Sequence, residues 1–429
     1  MNLEKLEKIF VIIAVFLLTD NAFNFLNKET MYLNDDTFEG DSTKQAVLLS
    51  VYALTFILLF LRKGMLSKTI TYLFKEKWLL FLMVIVVISF MWSHLPELSS
   101  RRVVAMVGST LFGLYLSVRF NLRTIVKLLS TAFGVIIVFN LFGIVFFSEY
   151  TTYVETRGEV WQGFFSHKNH LARFAILAFV TLLVMFLTTK KSRYKVITAA
   201  LTIASLLLLI KSFSATAYIL LFIVIAAIPL LRRFRLKNYL EISVLAFMLS
   251  GLSGLALYAL FNANQLLAYV GRDLTLTGRT DIWAAAIDAV AREPFFGYGF
   301  SGFWAGYYGP SQQLLMATGK DINHAHNGFI DVALQIGIVG LIVFAILLGL
   351  TVFRSIKMIT SNSSYLNLWP VLYLILLISM NISENVLLRQ NDLYWILFVT
   401  VSICVYKHTV SAKEHNTEIK RTRKRLVWA

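Results

Sequence analysis

The chain has 429 residues, of which 58% are hydrophobic and only 15% are charged, and its formal net charge at pH 7 is +16. Its mean hydropathy of +0.70 excludes an ordinary soluble domain and is typical of a polytopic membrane protein. Because the chain has a single cysteine, Cys404, it offers neither an internal disulfide nor a cysteine-ligated metal site.

Apolar runs dominate the chain, and about twelve of them are long enough to cross roughly 30 Å of hydrocarbon. They predict an all-α protein with a single transmembrane domain over residues 1–410 and a basic tail over residues 411–429. The first run ends in TDNAFNFLNKET rather than in a small-residue cleavage site, so it is interpreted as a span and not as a signal peptide. The predicted spans are 8–26, 45–61, 78–92, 102–118, 124–147, 171–189, 196–210, 216–231, 241–261, 328–353, 366–382 and 393–406.

Loops rich in lysine and arginine alternate along the chain with loops that are poor in them. The rich loops contain RKGMLSKTITYLFKEK, KKSRYK and RRFRLK, and the tail contains KRTRKR. By the positive-inside rule these segments are cytoplasmic, which predicts that both termini lie inside. The net charge then reflects topology and attraction to anionic lipid, so no nucleic-acid partner is expected.

Two outer loops are large enough to build a site. The first is SEYTTYVETRGEVWQGFFSHKNH, and the second is the long loop 262–327 between the ninth and tenth spans. Within the long loop, TGRTDIWAAAIDAVAR has helical periodicity that ends at Pro294. The orientation rule should deplete cations on this face, so those that remain are candidates for a function: Arg157, Lys168, Arg272, Arg279, Arg292 and Lys320.

Three stretches in these loops carry a resemblance to a known family. They are WQGFFSHKNHLAR, GRDLTLTGRTDIWAAAIDAVAREPFFGYGFSGFW and HAHNGFIDVALQIGIVG. In this order they resemble the O-antigen ligase and polysaccharide polymerase superfamily, and most of all the ExoQ-type exopolysaccharide polymerases. The ligase pattern is a histidine followed by Asn, Ser or Gln, nine residues, a glycine, two residues and a small residue. It is met by His326, Asn327, Gly337 and Gly340.

The resemblance implies a metal-independent, GT-C-like glycosyltransferase in the bacterial cytoplasmic membrane, with its active site on the outer face. The implied donor is a glycan on undecaprenyl diphosphate, and undecaprenyl diphosphate is released. The implied acceptor is a sugar hydroxyl, on another lipid-linked glycan in the polymerases or on lipid A-core in the ligases. No cofactor is implied. Membrane lipids are expected partners, and a chain-length regulator or a flippase is left open as another.

Transfer from a lipid diphosphate requires cations for the phosphates and one base for the incoming hydroxyl. Arginine forks suit phosphate oxygens, and a histidine suits the base role near neutral pH. Arg279 and His326 are therefore the predicted catalytic pair. The predicted contacts to diphosphate and glycan are Arg157, His167, Lys168, His170, Arg173, Arg272, His324 and Asn327.

Structural alternatives exist for these residues. His326 could instead cap the following helix, and His324 with His326 could ligate zinc, although no third ligand has a suitable spacing. Arg173 lies one turn inside the sixth span, where it could face a polar cavity or extend to the interface. Lys168 could be solvated as readily as it could contact phosphate.

Other charged groups on the outer side favour structural interpretations. Arg101 and Arg102 open the fourth span, where they could contact lipid headgroups or guide phosphates. Glu384 and Arg389 could pair as a brace in the loop SENVLLRQND. An acidic cluster in the first outer loop favours a solvated segment over a divalent-metal site. It consists of Asp35, Asp36, Glu39 and Asp41.

Two alternatives to a polymerase stay open at this point. An O-antigen ligase would share the chemistry and differ in the acceptor. A polysaccharide transporter or flippase would share the plan of about twelve spans with both ends inside. The sequence shows no matching halves of the kind that many transporters have, which favours the enzyme.

Overall fold

The computed structural model describes most of the chain, namely residues 2–26, 42–156, 158–233, 243, 279–304, 309–319, 322–361 and 364–427. The predicted ninth span falls almost wholly outside these residues, and so does the first part of the predicted outer loop. The predicted contacts Arg157 and Arg272, Lys320 and the acidic cluster of the first outer loop also lie outside them.

The described residues are almost entirely helical, in agreement with the sequence. One departure from the all-α prediction is a hairpin of two antiparallel strands, β1 (Thr152–Glu155) and β2 (Gly158–Trp161). The helices are α1 (Leu3–Leu17), α2 (Asn21–Leu26), α3 (Ser42–Leu61), α4 (Met65–Lys75), α5 (Lys77–Ile88), α6 (Pro96–Arg119), α7 (Leu122–Phe146), α8 (Ser148–Thr151), α9 (Lys168–Thr188), α10 (Ser192–Lys211), α11 (Ala215–Arg233), α12 (Arg279–Arg292), α13 (Gln312–Thr318), α14 (Gly328–Ser361), α15 (Leu368–Met380) and α16 (Leu393–Val427).

Seven of the described helices are long and apolar enough to cross a membrane, namely α3, α7, α9, α10, α11, α14 and α16. Two shorter apolar segments, 77–92 and 365–380, coincide with further predicted spans. Helix α1 is only 15 residues long, and α6 is not among the seven. The protein is therefore a polytopic helical membrane protein, while the number of twelve spans stays a prediction. The predicted tail is helical up to Val427, because α16 continues through it.

The centre of the bundle is formed by α6, α9, α15 and the first part of α16, which carry many of the buried side chains. Trp369 and Trp395 are the largest fully buried residues there. Helices α6 and α16 approach closely at Gly113, where an added Cβ would lie 2.7 Å from the carbonyl oxygen of Ile396. Small residues of this kind allow close helix packing in hydrocarbon, where the hydrophobic effect does not drive helices together.

Helix α14 is interrupted at Ile336 and Gly337, whose backbone angles are not helical. Gly337 has φ of +68°, and a Cβ there would lie 2.1 Å from the carbonyl oxygen of Phe295. The amide of Ile338 donates to the carbonyl of Pro294 at 2.8 Å. The segment after α12 thus inserts against the break in α14, and only glycine fits at residue 337.

The bundle has two ends that differ in their residues. The histidine end is where α9, α12 and α14 begin and where the loop 381–392 lies. At the opposite end α6 terminates and α14 carries Arg354, which is 16 residues beyond Ile338 and therefore about 24 Å along the uninterrupted part of the helix. The opposite end holds the basic loop before α4 and is the predicted cytoplasmic side.

Candidate active site

The two histidines of HAHN lie in a tight turn immediately before α14. His326 has φ of +50°, a left-handed conformation that is uncommon for a residue with a Cβ. Its amide is 3.3 Å from the Nδ1 atom of His324, to which it donates. The two imidazole rings meet edge to face, with centroids 4.1 Å apart and planes at 88°. The turn therefore holds both rings together.

Ala325, between the two histidines, is held from both sides. Its amide donates to the two carboxylate oxygens of Asp331 at 3.2 Å each, and its carbonyl accepts from the Nε1 atom of Trp283 at 2.8 Å. Asp331 is fully buried and also accepts from the Nε1 atom of Trp304 at 2.7 Å. Because both backbone groups of Ala325 are engaged, the neighbouring rings are fixed in place.

The contacts of Asp331, Trp283 and Trp304 were not predicted from the sequence. One signal could have found the first of them. Asp331 is a carboxylate at the start of the apolar run GFIDVALQIGIVG, and a buried charge there requires partners.

Asn327 caps α14. Its Oδ1 atom accepts from the amides of Phe329 at 3.0 Å and Ile330 at 3.3 Å. The interpretation of His326 as the cap is therefore wrong, because the neighbouring residue fills that role. The same contacts occupy the side-chain oxygen of Asn327, which was predicted to contact substrate or to hold the imidazole.

Both imidazoles are held in the neutral form. Burial, with smaller effects of the charges of Arg389 and Arg173, lowers the pKa of His324 to about 3. Burial, with smaller effects of His324 and Arg279, lowers the pKa of His326 to about 3. The Nδ1 atom of His326 is buried and has no hydrogen-bond partner among the described residues. A neutral ring can accept a proton.

Arg279, the first residue of α12, reaches the loop 381–392. Its Nη1 atom donates to the carbonyl of Ser383 at 2.9 Å, and its Nη2 atom lies 3.9 Å from the Oε1 atom of Glu384. The side chain is 23% exposed, and its positive charge lowers the pKa of His326. The structure therefore brings the predicted catalytic pair together at one end of the bundle.

The predicted residues at the start of α9 divide into two groups. His167 caps the helix by accepting the amide of Asn169 at 3.1 Å, and the Nζ atom of Lys168 lies 2.5 Å from the Oε1 atom of Glu155 in β1. These contacts are structural, and a phosphate would compete with Glu155 for Lys168.

His170 and Arg173 face the histidine turn. The positive charge of Arg173 lowers the pKa of His324. The Nδ1 atom of His170 lies 2.8 Å from the hydroxyl of Ser166. The backbone carbonyl of Arg173 accepts from the hydroxyl of Tyr394 at 2.7 Å, which ties α9 to α16. This placement favours the interpretation of Arg173 as a residue of a polar site.

Arg389 is a further cation of this region, although the sequence suggested a structural brace with Glu384. Its positive charge lowers the pKa of His324, whereas Glu384 lies near Arg279.

Left-handed backbone at residues other than glycine is also concentrated at this end. Four of the six described cases are here: Ser301, His326, Leu388 and Asn391. Conformations of this kind cost free energy and are common at functional sites.

Metal ligation finds little support at the histidine pair. Across the described part of the chain, no three His, Cys, Asp or Glu side chains converge as a metal site would require. His324 and His326 therefore lack a third ligand among those residues.

One family model matches this part of the chain. Residues 169–345 match the family described as O-antigen ligase, and this stretch contains Arg173, Arg279 and His326. The chain is thus a polytopic membrane protein with a region, residues 169–345, that is similar to the O-antigen ligase family.

A curated relative is the exopolysaccharide production protein ExoQ of Rhizobium meliloti (strain 1021), which is 24% identical over 295 residues. That match covers 66% of this chain and 66% of the relative, just under two thirds of the relative's length. Together the two matches confirm the resemblance to the superfamily and to the ExoQ-type proteins within it.

Proposed function

We propose that the protein is a membrane glycosyltransferase that lengthens an extracytoplasmic polysaccharide. It would transfer a glycan from undecaprenyl diphosphate to a sugar hydroxyl of a second glycan. The observation that carries the proposal is the neutral, partly buried His326 at a site where Arg279, Arg173 and Arg389 supply positive charge. The match to the O-antigen ligase family supports the same class of chemistry.

The reaction follows from these groups. His326 takes the proton of the acceptor hydroxyl, and the acceptor oxygen bonds to the anomeric carbon of the donor. The bond from that carbon to the diphosphate breaks, and its electron pair leaves with the diphosphate. Arg279 and Arg173 stabilise the charge that develops on the leaving phosphates. Attack from the face opposite the leaving group inverts the anomeric configuration.

The lowered pKa of His326 is compatible with its role as the base. Positive neighbours and burial both disfavour the imidazolium. A bound diphosphate adds negative charge beside the ring and raises its pKa towards the range in which a base is effective. The donor would therefore prepare the base as it binds.

An apolar groove offers a place for the lipid chain of the donor. It lies between α7, α9 and α10 and is lined by residues such as Val138, Phe142 and Leu201. Phe139, at the same groove, packs against Phe164 with ring centroids 4.7 Å apart. Phe164 precedes the cap residue His167 by three positions, so the groove passes close to the start of α9.

The family description favours one second candidate, an O-antigen ligase. It would use the same residues and transfer a finished chain to lipid A-core. Deletion of the gene separates the two: loss of a polymerase leaves single repeat units on the lipid carrier, whereas loss of a ligase leaves long unattached chains.

Reconstitution tests the proposal directly. The purified protein is incubated with a polyprenyl-diphosphate oligosaccharide, with and without chelator, and the products are sized. We expect longer lipid-linked glycans in both samples. Wild-type protein that forms no glycosidic bond but moves the lipid-linked glycan across a vesicle membrane would replace the enzyme with a transporter.

A further inference from the structure

An exposed aromatic pair lies in the segment that the sequence predicted as a polar outer loop. Phe295 and Phe296 follow α12 almost directly, and the two residues are 68% and 57% exposed. Two adjacent phenylalanines in water are unfavourable, because each leaves a large apolar surface uncovered. The pair therefore calls for an apolar partner.

The turn that carries the pair is fixed on the rest of the protein. The carbonyl of Phe295 accepts from the amide of Val339 at 3.3 Å, just beyond the break in α14. The carbonyl of Phe296 accepts from the Nε1 atom of Trp92 at 3.2 Å, and the rings of these two residues have centroids 5.7 Å apart. Because both residues are held by their backbone, the turn keeps the two phenyl rings on the outside of the protein.

The contact with α14 gives the depth of this turn. Arg354, which pairs with Glu76, marks the predicted cytoplasmic end of α14. Val339 precedes Arg354 by 15 residues and therefore lies about 22 Å from it along the helix. Hydrocarbon is about 30 Å thick, and a tilted helix covers less depth than its length. The carbonyl of Phe295 thus lies below the outer boundary of the hydrocarbon.

The apolar surface of the membrane spans continues up to the pair. Residues 331–337 of α14 are all buried within the protein, whereas Ile338 and Ile342 are exposed. Helix α14 is also one of the seven that are long and apolar enough to cross a membrane. On the neighbouring segment Met91, next to Trp92, is exposed as well. The helix therefore meets lipid from the level of the phenylalanines downwards, and the two rings extend that surface.

The residues before the pair suit the headgroup layer. Arg292 and Glu293 are exposed charged residues at the end of α12. Charged residues followed closely by two aromatic rings are the order expected of a segment that passes from headgroups to acyl chains. Trp92 adds an indole ring, which is favoured at this boundary.

We propose that the turn 294–297 is a membrane anchor that inserts Phe295 and Phe296 among the acyl chains of the leaflet at the histidine end. Its partner is the phospholipid bilayer. The anchor fixes the height of α12, whose other end carries Arg279 about 20 Å away along the helix. That this height matters for the donor's diphosphate rests on the proposed function, whereas the insertion itself does not.

Spin labelling of the full-length protein tests the insertion. Cys404→Ser removes the single cysteine, and Phe296→Cys then carries a nitroxide label in protein reconstituted into bilayers of phosphatidylethanolamine and phosphatidylglycerol. Power saturation measures collisions of the label with O₂, which concentrates in hydrocarbon, and with a water-soluble nickel chelate. We expect collisions with O₂ to exceed those with the nickel chelate severalfold at this position.

Two labelled positions serve as controls. Asp288→Cys lies on the exposed face of α12, about 10 Å along the helix from the turn, and its label should collide mainly with the nickel chelate. Ile342→Cys lies on the lipid-facing side of α14 and should give the pattern expected for position 296. The contrast within α12 shows that only the turn enters the hydrocarbon.

Activity tests the consequence for α12. Phe295→Ser combined with Phe296→Ser should raise the KM for a polyprenyl-diphosphate donor in bilayers severalfold and leave kcat unchanged, because the chemistry is intact and only the height of the helix is released. Phe295→Leu combined with Phe296→Leu keeps the apolar surface and should retain the wild-type KM. An unchanged KM in the serine variant would overturn the role of the anchor in placing Arg279.

Two outcomes of the labelling would overturn the anchor. One is access of the nickel chelate at position 296 equal to that at position 288, which would place the rings in water. The other is low access of both reagents with an immobilised label, which would place the rings against a second copy of the chain. The labelling needs no glycan transfer, so it decides on the anchor even if the proposed reaction fails.

Discussion

The two ends of the helical bundle use arginine in different ways. At the opposite end, the buried carboxylate of Glu7 accepts from Arg62 at 2.7 Å and from Arg119 at 2.8 Å. Glu76 and Arg354 form a second pair there. Each guanidinium meets a carboxylate that burial would otherwise destabilise, so these arginines stabilise the fold.

At the histidine end, arginines face imidazoles. Arg279 lowers the pKa of His326, and Arg173 and Arg389 lower the pKa of His324. The carboxylate of Glu384 lies 3.9 Å from Arg279, which is longer than a hydrogen bond. The two ends therefore differ in what their arginines meet, which is a buried carboxylate at one end and a neutral imidazole at the other. Positive charge beside neutral imidazoles, rather than the mere presence of arginine, indicates a site for an anion.

The largest effect on activity should come from His326→Ala. Loss of the base should reduce glycan transfer about a thousandfold, with unchanged abundance in the membrane, since Asn327 and Asp331 hold the turn without it. Product sizing after reconstitution measures the effect. His408→Ala removes a histidine from α16 away from the turn and should retain activity. Normal polymer from His326→Ala would remove the base assignment.

Arg279→Lys should have the next largest effect. The lysine keeps the charge but loses the fork that spans two phosphate oxygens, so transfer should fall about tenfold to a hundredfold. Rates at saturating and limiting donor concentration measure it. Arg292→Lys is the matched change at the other end of the same helix and should be silent. Wild-type rates in Arg279→Lys would reduce Arg279 to a general source of positive charge.

The pH dependence of kcat/KM should report the lowered pKa of His326. Only the neutral ring accepts a proton, and the pKa of His326 is about 3. Activity should therefore persist as the pH falls through 6.5 and be lost only at much lower pH. In Arg279→Gln the remaining activity should be lost at a higher pH, because one positive neighbour is gone. A wild-type profile that declines around the ordinary histidine pKa would contradict the electrostatics.

The smallest effect on transfer should come from Glu7→Gln at the opposite end. The substitution leaves Arg62 and Arg119 without their anion, so the free energy of unfolding should fall by roughly 3 kcal/mol. A thermal shift in detergent measures the loss, and the rate per folded molecule should stay at the wild-type value. A large drop in that rate without a loss of stability would break the contrast between the two ends.

Much of the fold could be predicted because hydrocarbon restricts the choices. Apolar runs of sufficient length must be helical there, and α7, α9 and α14 begin close to their predicted positions. The hairpin of β1 and β2 was not predicted, because four-residue strands leave no distinct pattern. The break in α14 at Gly337 was also not predicted, since the run around it is mostly apolar and contains no proline.

The candidate site could be predicted only in part. Arg279, His326, His170 and Arg173 were selected because cations and histidines persist on a face that topology depletes; they lie at one end of the bundle, and their roles stay a prediction. Asn327 was given a ligand role although its oxygen caps α14. Arg389 was interpreted as a structural brace with Glu384, whereas in the structure its charge lowers the pKa of His324 and Glu384 lies near Arg279.

The sequence by itself determined that this is a helical membrane protein, which residues could carry acid–base and phosphate chemistry, and which family it resembles. These follow from composition and from local motifs. Only the tertiary structure decided that Asp331 and Trp283 fix the histidine turn, that Glu384 lies beside Arg279, and that Arg102, Asn385 and Arg389 line one cleft. Such contacts join residues far apart in the chain, and burial and electrostatic potential arise from the packing of all of them together.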